Sequence, residues 1–464
     1  MRPMRMVCEL IACVLIVMVC PLAWGQLDCP AECCANELNV QCFSSIQDAL
    51  DCAAAAPPDG CQSNTVFVPA GEYDVPETLT IASGVTLRGE GSGISVLRAA
   101  GSISGSILTA ASGSGIHLKD LEFDGNERSF AISGVEFENV SDFSISGCLF
   151  HNFGVDGLVL NGTGSPSNGT ITRCQSRYNT GAGFRVWPGN PNPGTYSELR
   201  FTACEAIQNT GDGFALKGVS NVALTACIAD HGAVPPPAAG TAGFLVDSSE
   251  KVTLAAAIAS GNNNGFSVVF GVDGLSFSGC IARDSIADGF YIRSSANVAL
   301  AGCHAEGNGR NGVSVRTEYG DLAHHFSVVG GTISENARHG INLAGVKYGT
   351  ISGVTVLNNS QDAGATYDGI RIANGVDTPT VNSQHITVSG CVISDDRDDP
   401  EDKTQNYAVR TLTGQGNISV FSNDVDGNLV GPGCDSTHED QCPVYFEDCT
   451  SCEKKHNPGD ATSG

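Results

Sequence analysis

Between residues 156 and 370 the chain repeats one short word nine times: a polar or small residue, then glycine, then a large apolar residue. It reads Asp156-Gly157-Leu158, Ala182-Gly183-Phe184, Asp212-Gly213-Phe214, Ala242-Gly243-Phe244, Asn264-Gly265-Phe266, Asp288-Gly289-Phe290, Asn311-Gly312-Val313, His339-Gly340-Ile341 and Asp368-Gly369-Ile370. Successive copies lie 22 to 30 residues apart, a length that holds one supersecondary unit and no globular core. Such a unit buries its apolar face only against its neighbours, so the chain must stack into a solenoid. After each word the pattern alternates with period two, giving the inward pairs Leu158/Leu160, Phe184/Val186, Phe214/Leu216, Phe244/Val246, Phe266/Val268, Phe290/Ile292, Val313/Val315, Ile341/Leu343 and Ile370/Ile372. A second strand follows, as in Asn221-Val222-Ala223-Leu224, and then a third, with no helical spacing between them. Three short strands per turn predict an all-β, single-stranded right-handed parallel β-helix. With rungs about 4.8 Å apart, roughly a dozen make a rod on the order of 60 Å long.

The ends differ from the repeats. Arg2 and Arg5, an apolar run from Val7 to Leu22 and then Ala23-Trp24-Gly25 read as a secretory signal over residues 1–25. Residues 26–64 form a cysteine-rich cap, residues 65–430 the β-helix and residues 431–464 a cysteine-containing tail. Within the cap, Ile46, Ala49, Leu50 and Ala53 share one face of a short helix that would cover the open end of the solenoid. In an oxidising compartment, Cys29, Cys33, Cys34, Cys42, Cys52 and Cys61, and Cys434, Cys442, Cys449 and Cys452, read as disulfide staples of the two ends. Cys148, Cys174, Cys204, Cys227, Cys280, Cys303 and Cys391 instead occupy one column of the repeat and read as free thiols packed like small hydrophobes.

A formal charge of −26 excludes nucleic acid as the default partner. No stretch after the signal is apolar enough to span a membrane, so the expected protein is secreted, periplasmic or at the cell surface, and monomeric. The few cations nevertheless gather. Period two places Arg185 and Trp187 outward on one rung, Lys217 on the next, Tyr291 and Arg293 further along, then Arg316, and finally Arg371, with Asp156, Asp212 and Asp288 opening their own copies. Arg293 and Arg316 fall one rung apart, a repulsive pair unless a carboxylate or an anionic ligand lies between them. An acidic sugar would supply that anion.

Other signals are weaker. His324-His325 and His339 read as solvated turn residues, and Asp395 to Asp402 as a charged loop with oxygen ligands for Ca²⁺, the one cofactor left open. No metal set is otherwise expected. Val234 to Gly240 reads as an insertion that walls a groove.

Phe67-Val68-Pro69-Ala70-Gly71-Glu72-Tyr73 and Leu87-Arg88-Gly89-Glu90-Gly91 resemble the amino-terminal cap of the pectate-lyase-like β-helix superfamily. Asp124-Gly125-Asn126, Gly330-Gly331-Thr332-Ile333-Ser334-Glu335-Asn336 and Asn358-Asn359-Ser360-Gln361 resemble the catalytic modules of secreted mannuronan C5-epimerases, a likeness that covers residues 43–430. It implies the same fold and a uronan ligand. The epimerase word Tyr-Gly-Phe-Asp-Pro-His falls on Phe153-Gly154-Val155-Asp156-Gly157-Leu158, where only Asp156 keeps its catalytic identity. Phe153 stands at the proton-exchanging tyrosine, Leu158 at the histidine and Trp187 at a further aspartate, so any chemistry must come from other residues.

The functional expectation is a polysaccharide-active protein of the uronate lyase or C5-epimerase kind, with Tyr291, Arg293, Arg316, Asp288 and Asp156 as catalytic candidates. Arg185, Trp187, Lys217, Asp212 and Arg371 are the substrate-binding candidates. The rival is a non-catalytic carbohydrate-binding or adhesive β-helix.

Overall fold

The computed structural model describes residues 29, 37–55, 63–188, 196–232, 236–318, 323–362, 367–375, 380–397, 404–425, 428, 444–447 and 453–455. The expected signal, Cys33, Cys34, Cys61 and the four carboxy-terminal cysteines lie outside these residues.

Each turn of chain passes through three sheets. The first sheet follows the glycine word and has 14 strands, the second has 16 and the third 13. One turn runs Phe214–Lys217, Val219–Thr225 and Ile228–Asp230, then returns to the first sheet as Ala242–Asp247. That strand pairs in parallel with the one a turn earlier, with Phe214 opposite Phe244 and Leu216 opposite Val246. Because every turn repeats the same word, like residues stack on like. All nine inward pairs are buried. The rings of Phe184, Phe214, Phe244, Phe266 and Phe290 form one column, with successive centroids 4.7 to 5.0 Å apart and planes within 12° of parallel.

The glycine of the word is fixed by close approach. A Cβ on Gly243 would lie 2.8 Å from the carbonyl oxygen of Gly265 on the next rung and 2.9 Å from Nδ2 of Asn262. At Gly340 the same two neighbours, Gly369 O and Asn359 Nδ2, stand at 2.7 and 2.9 Å. Asn359 and its counterparts Asn308 and Asn336 form a buried ladder. Asn308 donates from Nδ2 to Asn336 Oδ1 at 2.8 Å, and Asn336 donates to Asn359 Oδ1 at 2.8 Å. The same oxygens accept the backbone N–H groups of Asn308 and Asn336. In these turns the buried asparagine side chains and amides are satisfied by the rung beside them.

The expected helix is Ile46–Ala55, and it buries Ala49, Leu50, Cys52 and Ala53. Ser45 Oγ accepts from Asp48 N at 3.1 Å and caps its start. Gln47 behaves as an extra strand at the sheet edge, accepting from Thr80 N at 2.8 Å and donating to Thr80 O at 3.1 Å. The sulfurs of Cys29 and Cys52 lie at bonding distance, their Cα atoms 5.9 Å apart. The seven column cysteines are buried thiols as expected, and hydrogen bonding with Cys174, together with burial, pushes Cys204 up to about 12.

Candidate functional site

The first residue of the word, a site candidate at Asp156, Asp212 and Asp288, is tied into the scaffold. Asp156 Oδ1 accepts from Ala182 N at 2.6 Å and Asp212 Oδ1 from Ala242 N at 2.7 Å. Asp288 Oδ1 accepts from Asn311 N and Nδ2 at 3.0 and 2.8 Å. His339 Nδ1 accepts from Asp368 N at 2.9 Å, so its proton sits on Nε2. Each side chain ties its rung to the next, and all of these residues are buried or nearly so. Burial pushes the carboxyls of Asp212 and Asp368 up to about 6 and raises Asp288, while it drives His339 down to about 3. His339 is therefore a buried neutral imidazole rather than a solvated turn residue.

The cations of the first sheet fall into two groups with different electrostatics. Toward the amino terminus each has a partner. Arg185 pairs with Asp156 at 2.9 Å and Lys217 with Asp247 at 3.3 Å. Both also lie over the Trp187 ring, 4.7 and 4.4 Å from its centroid. The surface expected to stack a sugar is thus already used by the chain's own cations, and the depression beside it is small, about 250 Å³.

Further along, a trough opens across the first sheet as two connected depressions of about 560 and 610 Å³. Asp288, Arg310 and Arg316 line both. The first also contains Tyr291 and Arg293, and Ala239 and Gly240 of the expected insertion form part of its wall. The register puts Arg293 opposite Arg316, as the repeat predicts. The anion between them is internal: Glu318 Oε2 and Oε1 lie 3.2 Å from Arg293 Nη1 and 3.2 Å from Arg316 Nη1. Arg316 stands 4.7 Å from the Tyr291 ring centroid. Burial raises the Tyr291 pKa and outweighs the lowering by Arg316 and Arg293. Tyr291 is a phenol at neutral pH, suited to give a proton rather than take one.

The second depression holds Arg338, His339, Tyr367, Asp368, Arg371 and Arg410. Of these the sequence reading had singled out only Arg371 as a site residue. Arg371 stacks between Asn342 and Arg410 and donates to Asn342 Oδ1 at 3.2 Å. Among the described residues Arg310, Arg338 and Arg371 make no ion pair. The Nε atoms of Arg316, Arg338 and Arg410 are shielded from water without a hydrogen-bond partner there. Arg310, Arg338 and Tyr367 each precede a glycine word by one residue, so reading the same ruler one place earlier would have found them.

The profile of the family described as "Right handed beta helix region" matches residues 76–196 and 268–450, more than half of the chain. The chain belongs to the right-handed β-helix family. No curated protein matches it. Among solved structures it is similar to the A-module of the Azotobacter vinelandii mannuronan C-5 epimerase AlgE4, at 18% identity over 92% of this chain and 100% of that one, with a TM-score of 0.45. The N-terminal fragment of bacteriophage phi29 gene product 12 is similar at 12% identity over 92% of this chain and 72% of that one, TM-score 0.54. Bacteriophage CBA120 tailspike protein 3 is similar at 14% identity over 89% and 61%, TM-score 0.53. At these identities the likeness carries the fold alone.

Within this right-handed β-helix the remaining sequence signals find ordinary places. Phe153 and Leu158, which fall on the epimerase tyrosine and histidine, are both core residues and face no groove. His324 and His325 lie in the strand Ala323–Val329 of the second sheet, away from the trough, rather than in a turn. His325 stacks on Tyr348, which stacks on His385. Asp395 is buried and bound by Arg397 and by the backbone N–H groups of Thr404 and Gln405, while residues 398–403 lie outside the described residues. Among the described residues no helix is long and apolar enough to cross a membrane.

Proposed function

We propose that this is an exported protein with disulfide-stapled ends that acts on an acidic polysaccharide, and that the trough from Leu245 to Leu412 is where the polymer lies. The observation that carries this reading is the set of three arginines, Arg310, Arg338 and Arg371, without an ion-pair partner among the described residues of a chain with a net charge of −26. Six of its 24 basic residues line this trough. Two guanidinium charges about 6 Å apart repel by about 3 kcal/mol at an effective dielectric of about 20, so a carboxylated ligand is the natural complement. The trough crosses seven rungs, from Leu245 to Leu412. At about 4.8 Å per rung it runs on the order of 29 Å, long enough for several sugar residues.

The reaction we favour is that of a uronate lyase or C5-epimerase, centred where the two depressions meet. Arg316 and Arg310 would neutralise the uronate carboxylate and make the C5 proton acidic. The Asp288 carboxylate, its proton affinity raised by burial, would take that proton. The Tyr291 phenol would supply a proton to the leaving oxygen at C4, in elimination, or to the opposite face of C5, in epimerisation. Arg293 would act through Glu318 to hold Arg316, and Asp156 would hold Arg185 as an outlying contact. A second reading, binding without turnover, is favoured by one observation: Asp156, Asp212 and Asp288 each spend an oxygen on the rung ladder.

A panel of uronans, assayed with and without Ca²⁺, separates these. Appearance of unsaturated product marks a lyase, and deuterium uptake at C5 marks an epimerase. In either case Asp288→Asn should abolish turnover and keep binding, because an amide oxygen still serves Asn311. Binding with neither product supports the second reading. If no uronan binds, or if Arg338→Ala and Arg371→Ala leave affinity unchanged, the trough is not the polymer site.

A further inference from the structure

The first residue of a glycine word has one scaffold task, which is to offer an acceptor to a backbone N–H of the next rung. A side-chain oxygen does this at Asp156, Asp212, Asn264, Asp288 and Asn311. His339 does it with Nδ1, which accepts from Asp368 N at 2.9 Å. An imidazole carries a second polar atom, and with Nδ1 engaged as acceptor that atom is the donor Nε2–H. His339 is 7% exposed and lines the second depression. Among the described residues its Nε2–H meets no nitrogen or oxygen acceptor, yet, unlike both nitrogens of His231, it is not shut off from water. Tyr367 steadies the ring, packing against it edge to face with centroids 5.1 Å apart.

The groups around this donor lack an anion. Among the described residues Arg338 and Arg371 make no ion pair, and Arg338 Nε is shielded from water without a partner. Burial lowers the Arg371 pKa, as befits a cation whose lost water no contacting carboxylate replaces. Asp368, in the same depression, gives Oδ1 to Tyr407 N at 3.3 Å and pairs with neither arginine. Resting on the reading of the trough as the polymer site, we infer that His339 is a ligand-binding residue as well as a scaffold one: its Nε2–H, with the guanidinium groups of Arg338 and Arg371, receives the carboxylate of one uronate residue. These donors stand on adjacent rungs, so together they fix where that carboxylate lies along the trough relative to Arg310 and Arg316. Burial and the charges of Arg371, Arg338 and Arg410 keep the imidazole neutral. It therefore adds a directed hydrogen bond without adding to the repulsion among the cations. No bond is made or broken by this recognition.

The test titrates oligomers of alginate and of polygalacturonate, each beside a carboxyl-reduced preparation, into the whole protein by calorimetry. His339→Asn keeps an acceptor for Asp368 N–H, as Asn311 does for His339 N, and removes the Nε2–H. Affinity for an oligouronate that binds wild type should fall about tenfold in this variant, the worth of one hydrogen bond to a charged group. In wild type, heteronuclear NMR of labelled histidine side chains should show an Nε2–H signal that is lost in His339→Asn. That signal should move when the oligouronate is added, which an imidazole with a scaffold role alone would not do. A loss within about twofold for every oligouronate that binds, or a signal that the ligand leaves in place, overturns the inference and leaves the trough standing. Carboxyl-reduced oligomers should not bind. If one binds and loses as much affinity in the variant, Nε2–H meets a hydroxyl and the inference is overturned. Failure of both oligouronates to bind overturns the inference together with the reading it rests on.

Discussion

Glu318 is the most informative residue to change, because its carboxylate bridges Arg293 and Arg316. Its carboxylate is 3.2 Å from both Arg293 and Arg316, and the side chains of the three are 14%, 17% and 28% exposed. Glu318→Gln removes one negative charge and leaves two guanidinium groups on adjacent rungs. At about 4.8 Å and an effective dielectric of about 20, their repulsion is about 3 kcal/mol, in line with the roughly 3–5 kcal/mol lost when one partner of a shielded pair is removed. Urea unfolding at low ionic strength should therefore show a loss of about 3 kcal/mol, reduced at high salt as the two cations are screened from each other. A polyuronate that binds the trough should restore more stability to the variant than to the wild type, since a ligand carboxylate then replaces the missing one. A loss below about 1 kcal/mol that does not change with salt would refute the claim that Glu318 holds this cation pair together.

Three further outcomes follow from the same geometry. Phe244→Ala, in the middle of the stacked phenylalanine column, should cost about 3–5 kcal/mol in urea unfolding, and a loss near that of a surface substitution would contradict the ring column as a core element. Asn336→Ala takes a donor and an acceptor from a ladder that serves both neighbouring rungs. It should cost about 1–3 kcal/mol and speed hydrogen exchange at the amide of Asn308; unchanged exchange there argues against the ladder. Burial pushes Asp212 up to about 6, against about 3.9 in an unfolded chain, so the fold holds the extra proton between those values and its stability falls as pH rises through them. Asp212→Asn, which keeps an acceptor for Ala242 N–H, should match wild type near pH 4 and exceed it by about 2–3 kcal/mol above pH 6, and superimposable pH profiles of the two would show that the carboxyl is not raised.

Much of the site was legible because the repeat is a ruler. Period two after each glycine correctly gave the inward Phe184/Val186 and Phe290/Ile292 pairs and the adjacency of Arg293 and Arg316. It gave no direction for the first residue of the word: Asp156, Asp212 and Asp288 precede the strand, and their side chains fold back to cap the next rung. A period derived from strands says nothing about direction in a turn. For the same reason Arg310, Arg338 and Tyr367, also in turns, went unnoticed although they line the trough.

The sequence by itself determined the architecture, because a repeat of 22 to 30 residues with one apolar stripe per strand has no way to bury that stripe except by stacking. It also determined which cations share a sheet. Only the tertiary structure decided which of them are free to meet a ligand. That depended on carboxylates far away along the chain: Asp156 reaches Arg185 across 29 residues, Asp247 reaches Lys217 across 30, and Glu318 closes the gap between Arg293 and Arg316. Charge compensation is set by distance in space and by shielding from water. A linear pattern fixes the rung on which a charge sits, and the packed solenoid fixes what stands beside it.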